Sequence, residues 1–413
     1  MKARKTSILG LTAGLVLLAL TAALVGLSAP FTDWMRHHTQ HAGCALAQAP
    51  AQTEPRDPAL DVRTSLAAGE CGLAVTPDGT VWGWGDNSWG QLLMKRGDWC
   101  RNPRPIPGLP KAKAVSTCLT ESILLAQDGS VWGWGDYPGG DWSRSQPRLV
   151  AGLPSVSAID AGAGHYMALT SEGAVWTWGG NRYYQLGDGT TVSRTVAQPV
   201  AGLCAVVSIS AGFSHSLALC DDGSVWTWGG ISNTEENGAF CPSATPSKVQ
   251  GVPPVVRIEA GSGYSVALTR EGEVWMWGVS PSGLESMRDE ITATPRQVQG
   301  LPLAIEIAAG AQHCLVVSND GSVWAWGLNT FGVLGDGTTE SRTTPRLVPG
   351  LFGVVAVAAS LDRSACIRSD GSVWDWGQVV RGLLGDYRVC MRPRRVRLPL
   401  LMVRQDKPDV SSG

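Results

Sequence analysis

The chain has 413 residues, with 33 basic side chains against 35 acidic ones and a net charge of −2. That balance excludes a global electrostatic pull toward nucleic acid or acidic surfaces. The 51 glycines and 25 prolines recur at set places along the chain, which excludes low complexity and marks turn chemistry.

The first element is an apolar run, Ile8 to Ala29, behind Lys2, Arg4 and Lys5. At about 1.5 Å per residue it is long enough to span a bilayer as a helix. Residues 1–29 therefore predict a basic flank and a transmembrane signal anchor. The flank stays cytoplasmic and the rest of the chain crosses the membrane, so the C-terminal domain is expected outside it. The other reading is a cleaved signal peptide and a secreted product. Residues 30–59, rich in Ala, Pro, Gln and His, predict a flexible stalk.

Beyond the stalk one eight-residue string recurs. It begins at Asp78 (DGTVWGWG), Asp128, Glu172, Asp222, Glu271, Asp320 and Asp370 (DGSVWDWG), at steps of 50, 44, 50, 49, 49 and 50 residues. These copies hold fourteen of the eighteen tryptophans. A fixed period of this length sets the architecture before local propensity does. The fourth copy decodes into four strands. Val206–Ala211 is the first, Gly212-Phe213-Ser214 a turn, and His215–Cys220 the second. Asp222-Gly223 makes a tight hairpin into Ser224–Gly229, and Pro246–Val249 opens the fourth. Seven such units predict an all-β fold over residues 60–399: a seven-bladed β-propeller of four-stranded antiparallel blades, followed by a tail at 400–413. In VWxWG the two tryptophans share one face of a strand. Aromatics repeated around a ring in this way pack between blades and are structural.

The pattern resembles the repeat of the regulator of chromosome condensation family. Ile209–Leu219 (ISAGFSHSLAL) follows that family's signature, with close copies at 159–169 and 307–317. The loops GNRYYQLGDGT (180–190) and LNTFGVLGDGT (328–338) resemble its GxNxxGQLGxG segment. The resemblance covers about 340 residues. Its histidine slot holds His165, His215 and His313, but Cys71, Glu121, Tyr264 and Arg363 in the other repeats. The resemblance implies a propeller whose relatives differ in function. They include a nuclear guanine-nucleotide exchange factor, an exported inhibitor of β-lactamase and plain binding platforms. The apolar N-terminus argues against the exchange factor, because a cytosolic GTPase would lie across the membrane.

In an antiparallel blade the first–second turn and the third–fourth loop fall on one rim. The third–fourth loop is also the variable one. It carries Trp89, Trp99, Tyr137, Trp142, Tyr183, Tyr184, Phe240 and Phe331. Aromatics in variable loops on a rigid scaffold predict a rim that binds an as yet undefined protein partner. The other reading tucks them under their own loops.

Catalytic motifs such as G-x-S-x-G, H-E-x-x-H and the P-loop do not occur, so neither a cofactor nor a metal is expected. The function read from sequence is a non-enzymatic protein-binding module outside the cytoplasmic membrane. The alternative is a hydrolase or lyase with a site at the channel mouth. Convergent titratable groups at the histidine rim would favour the enzyme, and an apolar-aromatic rim the binding module.

Two further features stand out. Cys100 and Cys390 lie at corresponding loop positions in the first and last repeats, a candidate disulfide across the ring closure. Residues 221–290 are mostly acidic in their charge, whereas residues 378–407 carry Arg381, Arg388, Arg392, Arg394, Arg395, Arg397, Arg404 and Lys407. This predicts a dipolar disc that steers a partner or an anionic surface to the last blade.

Overall fold

The computed structural model describes residues 66–68, 71–95, 100–117, 120–135, 146–203, 205–230, 243–278, 292–381 and 387–396. The expected membrane helix and stalk lie outside them. No helix among the described residues is long and apolar enough to cross a membrane.

Seven four-stranded sheets follow one another, each ordered first to fourth strand along the chain and antiparallel throughout. The blades run Leu66–Pro105, Ala112–Leu149, Val156–Pro199, Val206–Lys248, Val255–Gln297, Ala304–Leu347 and Val354–Arg395. First strands of consecutive blades touch one another, which places them innermost. The all-β seven-bladed propeller is therefore as the repeat predicts.

The hairpin between second and third strands is built by the acidic-Gly pair. Gly79, Gly129, Gly173, Gly223, Gly272, Gly321 and Gly371 all take a positive φ, which glycine adopts without steric cost. Asp222 Oδ1 accepts from the Ser224 amide, and Asp128, Asp320 and Asp370 make the same bond. Hydroxyl donation from Ser224, Ser130, Ser318 and Ser372, together with those amide bonds, holds the four carboxyls below the usual carboxylate range.

The outer strand departs from the sequence reading. In blade 4 it runs Ser243–Lys248, so Pro246 lies inside it instead of opening it. Thr227 pairs with Ser247 and Gly229 with Ser243, a bulge that accommodates Pro246. Pro103, Pro295, Pro345 and Pro393 occupy the same bulge in blades 1, 5, 6 and 7. A proline lacks the amide needed by a ladder, so it is tolerated at an edge bulge, and it also protects that edge from pairing with other chains.

Each wedge between blades is a separate apolar cluster around the second tryptophan of VWxWG. Trp134, Trp178, Trp228, Trp277, Trp326, Trp376 and Trp84 each sit in one of them. All seven are buried, whereas the first tryptophan of each pair is only half-buried. Trp132, Trp324 and Trp374 turn their Nε1–H to the serine hydroxyl two residues earlier.

The wedge between blades 7 and 1 differs. Among the described residues its buried members are Ala74, Trp84, Ala365 and Val373. The fourth strand of blade 7 pairs within its own sheet, Arg395 opposite Trp374 and Arg394 opposite Asp375. The first strand of blade 1 also rests on the first two strands of blade 7. Cys100 and Cys390 do occupy equivalent places, opposite Gly85 and Gly377. They are not joined: each thiol donates to a carbonyl two residues along its own strand, Asn102 and Arg392. Alkylation of the denatured but unreduced protein is expected to modify both. A peptide linking them would show a tighter seam than this structure has.

Candidate functional site

The third–fourth loops of blades 1, 3 and 6 share one construction. Asn87, Asn181 and Asn329 are buried, and their Oδ1 atoms accept from the amides of Leu92, Leu186 and Leu334 at 2.8, 3.0 and 2.9 Å. Their Nδ2 groups donate to the carbonyls of Lys95, Thr190 and Thr338. One residue before the leucine, the carbonyls of Gln91, Gln185 and Val333 reach into the next blade. They accept from Trp134, Trp228 and Trp376 Nε1 at 2.8, 2.8 and 2.6 Å. Ser122, Ser216 and Ser364 hydroxyls donate to the same three carbonyls. Each loop is thus pinned to the core of its neighbour.

Two residues after each asparagine stands an aromatic: Trp89, Tyr183 and Phe331, exposed by 45, 36 and 38%. They do not fold under their own loops. Gln91 and Gln185 hold the first two by accepting from the Trp89 and Tyr183 amides through Oε1. The next residue has a left-handed backbone, with φ 84° at Gly90 and 70° at Gly332, but Tyr184 takes it at 62°. A side chain there costs about 1–2 kcal/mol. Tyr184 is half-buried. Trp99, Tyr137, Trp142 and Phe240 lie outside the described residues.

The first–second turns add Phe213 and Leu361, both 44% exposed, which the sequence reading missed. Their signal was an apolar residue at the turn position that holds Ala163, Ser262 and Ala311 elsewhere. These turns are joined blade to blade, Phe213 N to Gly261 O and Ala311 N to Ser360 O among them.

The histidine slot is on this rim in the chain but not on its surface. His165, His215 and His313 are buried at the start of their second strands. Each reaches forward one blade, Nε2 to the hydroxyls of Ser216, Ser265 and Ser364 at 3.0, 3.1 and 2.9 Å. The Ser216 and Ser364 protons go to the Gln185 and Val333 carbonyls, so those oxygens accept and His165 and His313 carry the proton on Nε2. The remaining Nδ1 atoms of His165 and His215 have no partner. Burial holds the three rings neutral, lowering their pKa values to about 3, 4 and 3.

The other slots make the same forward contact with different chemistry. Tyr166, which follows His165, donates to the Glu121 carboxylate. Cys314, which follows His313, donates to Tyr264, whose own hydroxyl lies 2.7 Å from the His313 carbonyl. Cys71 lies 3.6 Å from Thr117, which in turn meets Ser122. Arg363 stands where the matching position ahead is Gly72. It turns back to Asp375 at 3.0 Å, and Arg394 meets the other oxygen at 2.9 Å. Among the described residues no group of three His, Cys, Asp or Glu side chains could hold a metal ion.

This chain belongs to the RCC1-like domain family, whose sequence model matches residues 139–412. Among solved structures, human WBSCR16 is similar at 23% identity, covering 73% of this chain and 85% of its own, with a TM-score of 0.63. Yeast RCC1 (Prp20), solved bound to Kap60, is similar at 21% identity over 87% of this chain and 90% of its own, with a TM-score of 0.69. The ectodomain of the Arabidopsis thaliana receptor kinase ACR4 is similar at 17% identity over 79% of this chain and 96% of its own, at 0.51. At these identities the likeness is one of fold. No curated protein matches the chain.

Proposed function

We propose that the propeller is a non-enzymatic binding module, held outside the cytoplasmic membrane by its N-terminal anchor, and that a protein partner docks on the aromatic rim. The observation that carries this is the placement of Trp89, Tyr183 and Phe331, exposed at equivalent positions on loops locked into neighbouring blades. Rigid aromatics lose little entropy on binding and dominate interface energetics. Tyr184 supports the same reading, since backbone strain is retained where function requires the shape. The slot histidines, which an enzyme would need at the surface, are buried, neutral and engaged in the ring. The exchange-factor reading needs a GTPase on the same side of the membrane, which the Ile8–Ala29 run disfavours.

The test is in-cell crosslinking of the full-length chain and of a Trp89→Ser/Tyr183→Ser/Phe331→Ser variant. A specific partner is expected with the first and not the second, at matched thermal stability. A single hot-spot aromatic is worth about 2 kcal/mol, or roughly 30-fold in affinity. Undiminished crosslinking by the triple variant would remove the rim from consideration. Protease added outside intact cells should clip the chain if the propeller is displayed there.

A further inference from the structure

Blade 7 breaks the loop pattern of blades 1, 3 and 6. Its third and fourth strands, Val373–Arg381 and Tyr387–Arg395, are nine residues each, against five for every other third strand. The extra length pairs Gln378 with Val389, Val380 with Arg388 and Arg381 with Tyr387, which prolongs the blade at its rim end. This carries Val389 and Met391 against the blade 6 loop. A Cβ added to Gly332, the residue after Phe331, would lie 3.0 Å from atoms of both. Phe331, Val389 and Met391, exposed by 38, 36 and 40%, thus sit together at the junction of the two blades.

Beside them is a basic surface. The Gly337 amide donates to the Met391 carbonyl at 2.8 Å, and the Arg392 guanidinium lies directly over Gly337. Asp336, next to it, lines an open depression of about 490 Å³ with Arg342, Arg346 and Leu347. Asp336 is fully used: one oxygen accepts from Thr338 and Asn329, the other from Arg342. Glu340 also pairs with Arg342. Arg346 and Arg392 are exposed and have no carboxylate partner among the described residues.

We infer that the docking segment of the partner is an acidic polypeptide with apolar anchors, received where the blade 6 loop meets the extended strand of blade 7. This rests on the reading of the rim as a protein-binding surface. Unpaired arginines at an interface edge select for opposite charge and accelerate encounter, while an apolar trio beside them supplies anchoring area. Cations bordering a depression and mixed with apolar side chains fit a polypeptide better than a lipid headgroup plane.

The experiment screens a random peptide library against the full-length chain in nanodiscs. Selected peptides should be rich in Asp and Glu around aromatic or aliphatic residues, and association should slow by about tenfold in an Arg346→Glu/Arg392→Glu variant. A library screened on that variant should turn toward Lys and Arg. Lys113→Glu, an exposed charge on the inner strand of blade 2, should change neither result. Selection without charge preference would overturn the inference, as would binding to phosphatidylglycerol vesicles with no acidic peptide selected. If the crosslinked partner is lost with the aromatic triple variant but retained by Arg346→Glu/Arg392→Glu, the rim stands and the acidic partner falls. If both variants keep it, the rim itself is excluded.

Discussion

Replacing Trp228 by alanine is expected to lower the stability of the propeller by about 3–5 kcal/mol, while Trp89→Ala changes it by no more than about 0.5 kcal/mol. Trp228 is fully buried among Met167, Leu169, Val175, Val206 and Ala218, residues of blades 3 and 4. Close-packed surroundings relax only partly around a lost indole, so the cost includes a cavity as well as the transfer of the ring. The Nε1 bond to the Gln185 carbonyl is lost too, although Ser216 still donates there. Trp89 stands 45% exposed on a loop tip. Denaturant titration of both variants decides the matter. Equal losses would mean that the wedge is not where the tryptophan energy lies, and the division between core and rim would collapse.

The tryptophans show why the architecture was legible. VWxWG puts two rings on one strand face by pleat geometry alone, and seven copies in register leave few ways to bury them. What the pleat does not tell is depth. Both rings face one wedge, yet only the second is enclosed, because the first lies nearer the acidic-Gly hairpin, where in blades 2, 6 and 7 it meets a serine. The outer strand was misplaced for a similar reason. Pro246 looks like a strand opening to a local rule, whereas the sheet edge accommodates it inside a bulge.

The rim was legible in its aromatics but not in its histidines. Trp89, Tyr183 and Phe331 align two residues after an asparagine, a register visible in the sequence. The histidine, tyrosine and glutamate slots, by contrast, are partnered about fifty residues ahead, and no two kinds of pair share a chemistry: histidine with serine, tyrosine with cysteine, glutamate with tyrosine. A contact between neighbouring blades is long-range in sequence, so nothing local marks the slot as buried. Phe213 and Leu361 escaped notice because a single apolar residue in a turn has no pattern of its own.

Those buried histidines make acid the second large lever. Each has a folded-state pKa of about 3 or 4 against 6.5 for the free side chain. The unfolded chain therefore takes up protons that the folded ring refuses. The contribution is intact above about pH 6.5 and is lost as pH falls toward 3–4. At pH 5 the difference is roughly 2 kcal/mol per histidine, about 6 kcal/mol for three. Asp362 works the other way. Burial raises its carboxyl to about 6, so acid relieves a penalty there and returns about 1 kcal/mol by pH 5. The hairpin aspartates, held low, act only below this window. A net loss of about 5 kcal/mol approaches the whole stability of an ordinary domain, so the denaturation midpoint should drop steeply between pH 7 and pH 5. His165→Gln keeps a donor for Ser216 but cannot titrate. It should flatten that slope by about two fifths, even where its stability at pH 7 is lower. A midpoint that holds steady from pH 7 to pH 5 would mean that the rings reach solvent or find an acceptor for Nδ1–H, and the reading of the three histidines as buried and neutral would have to be abandoned.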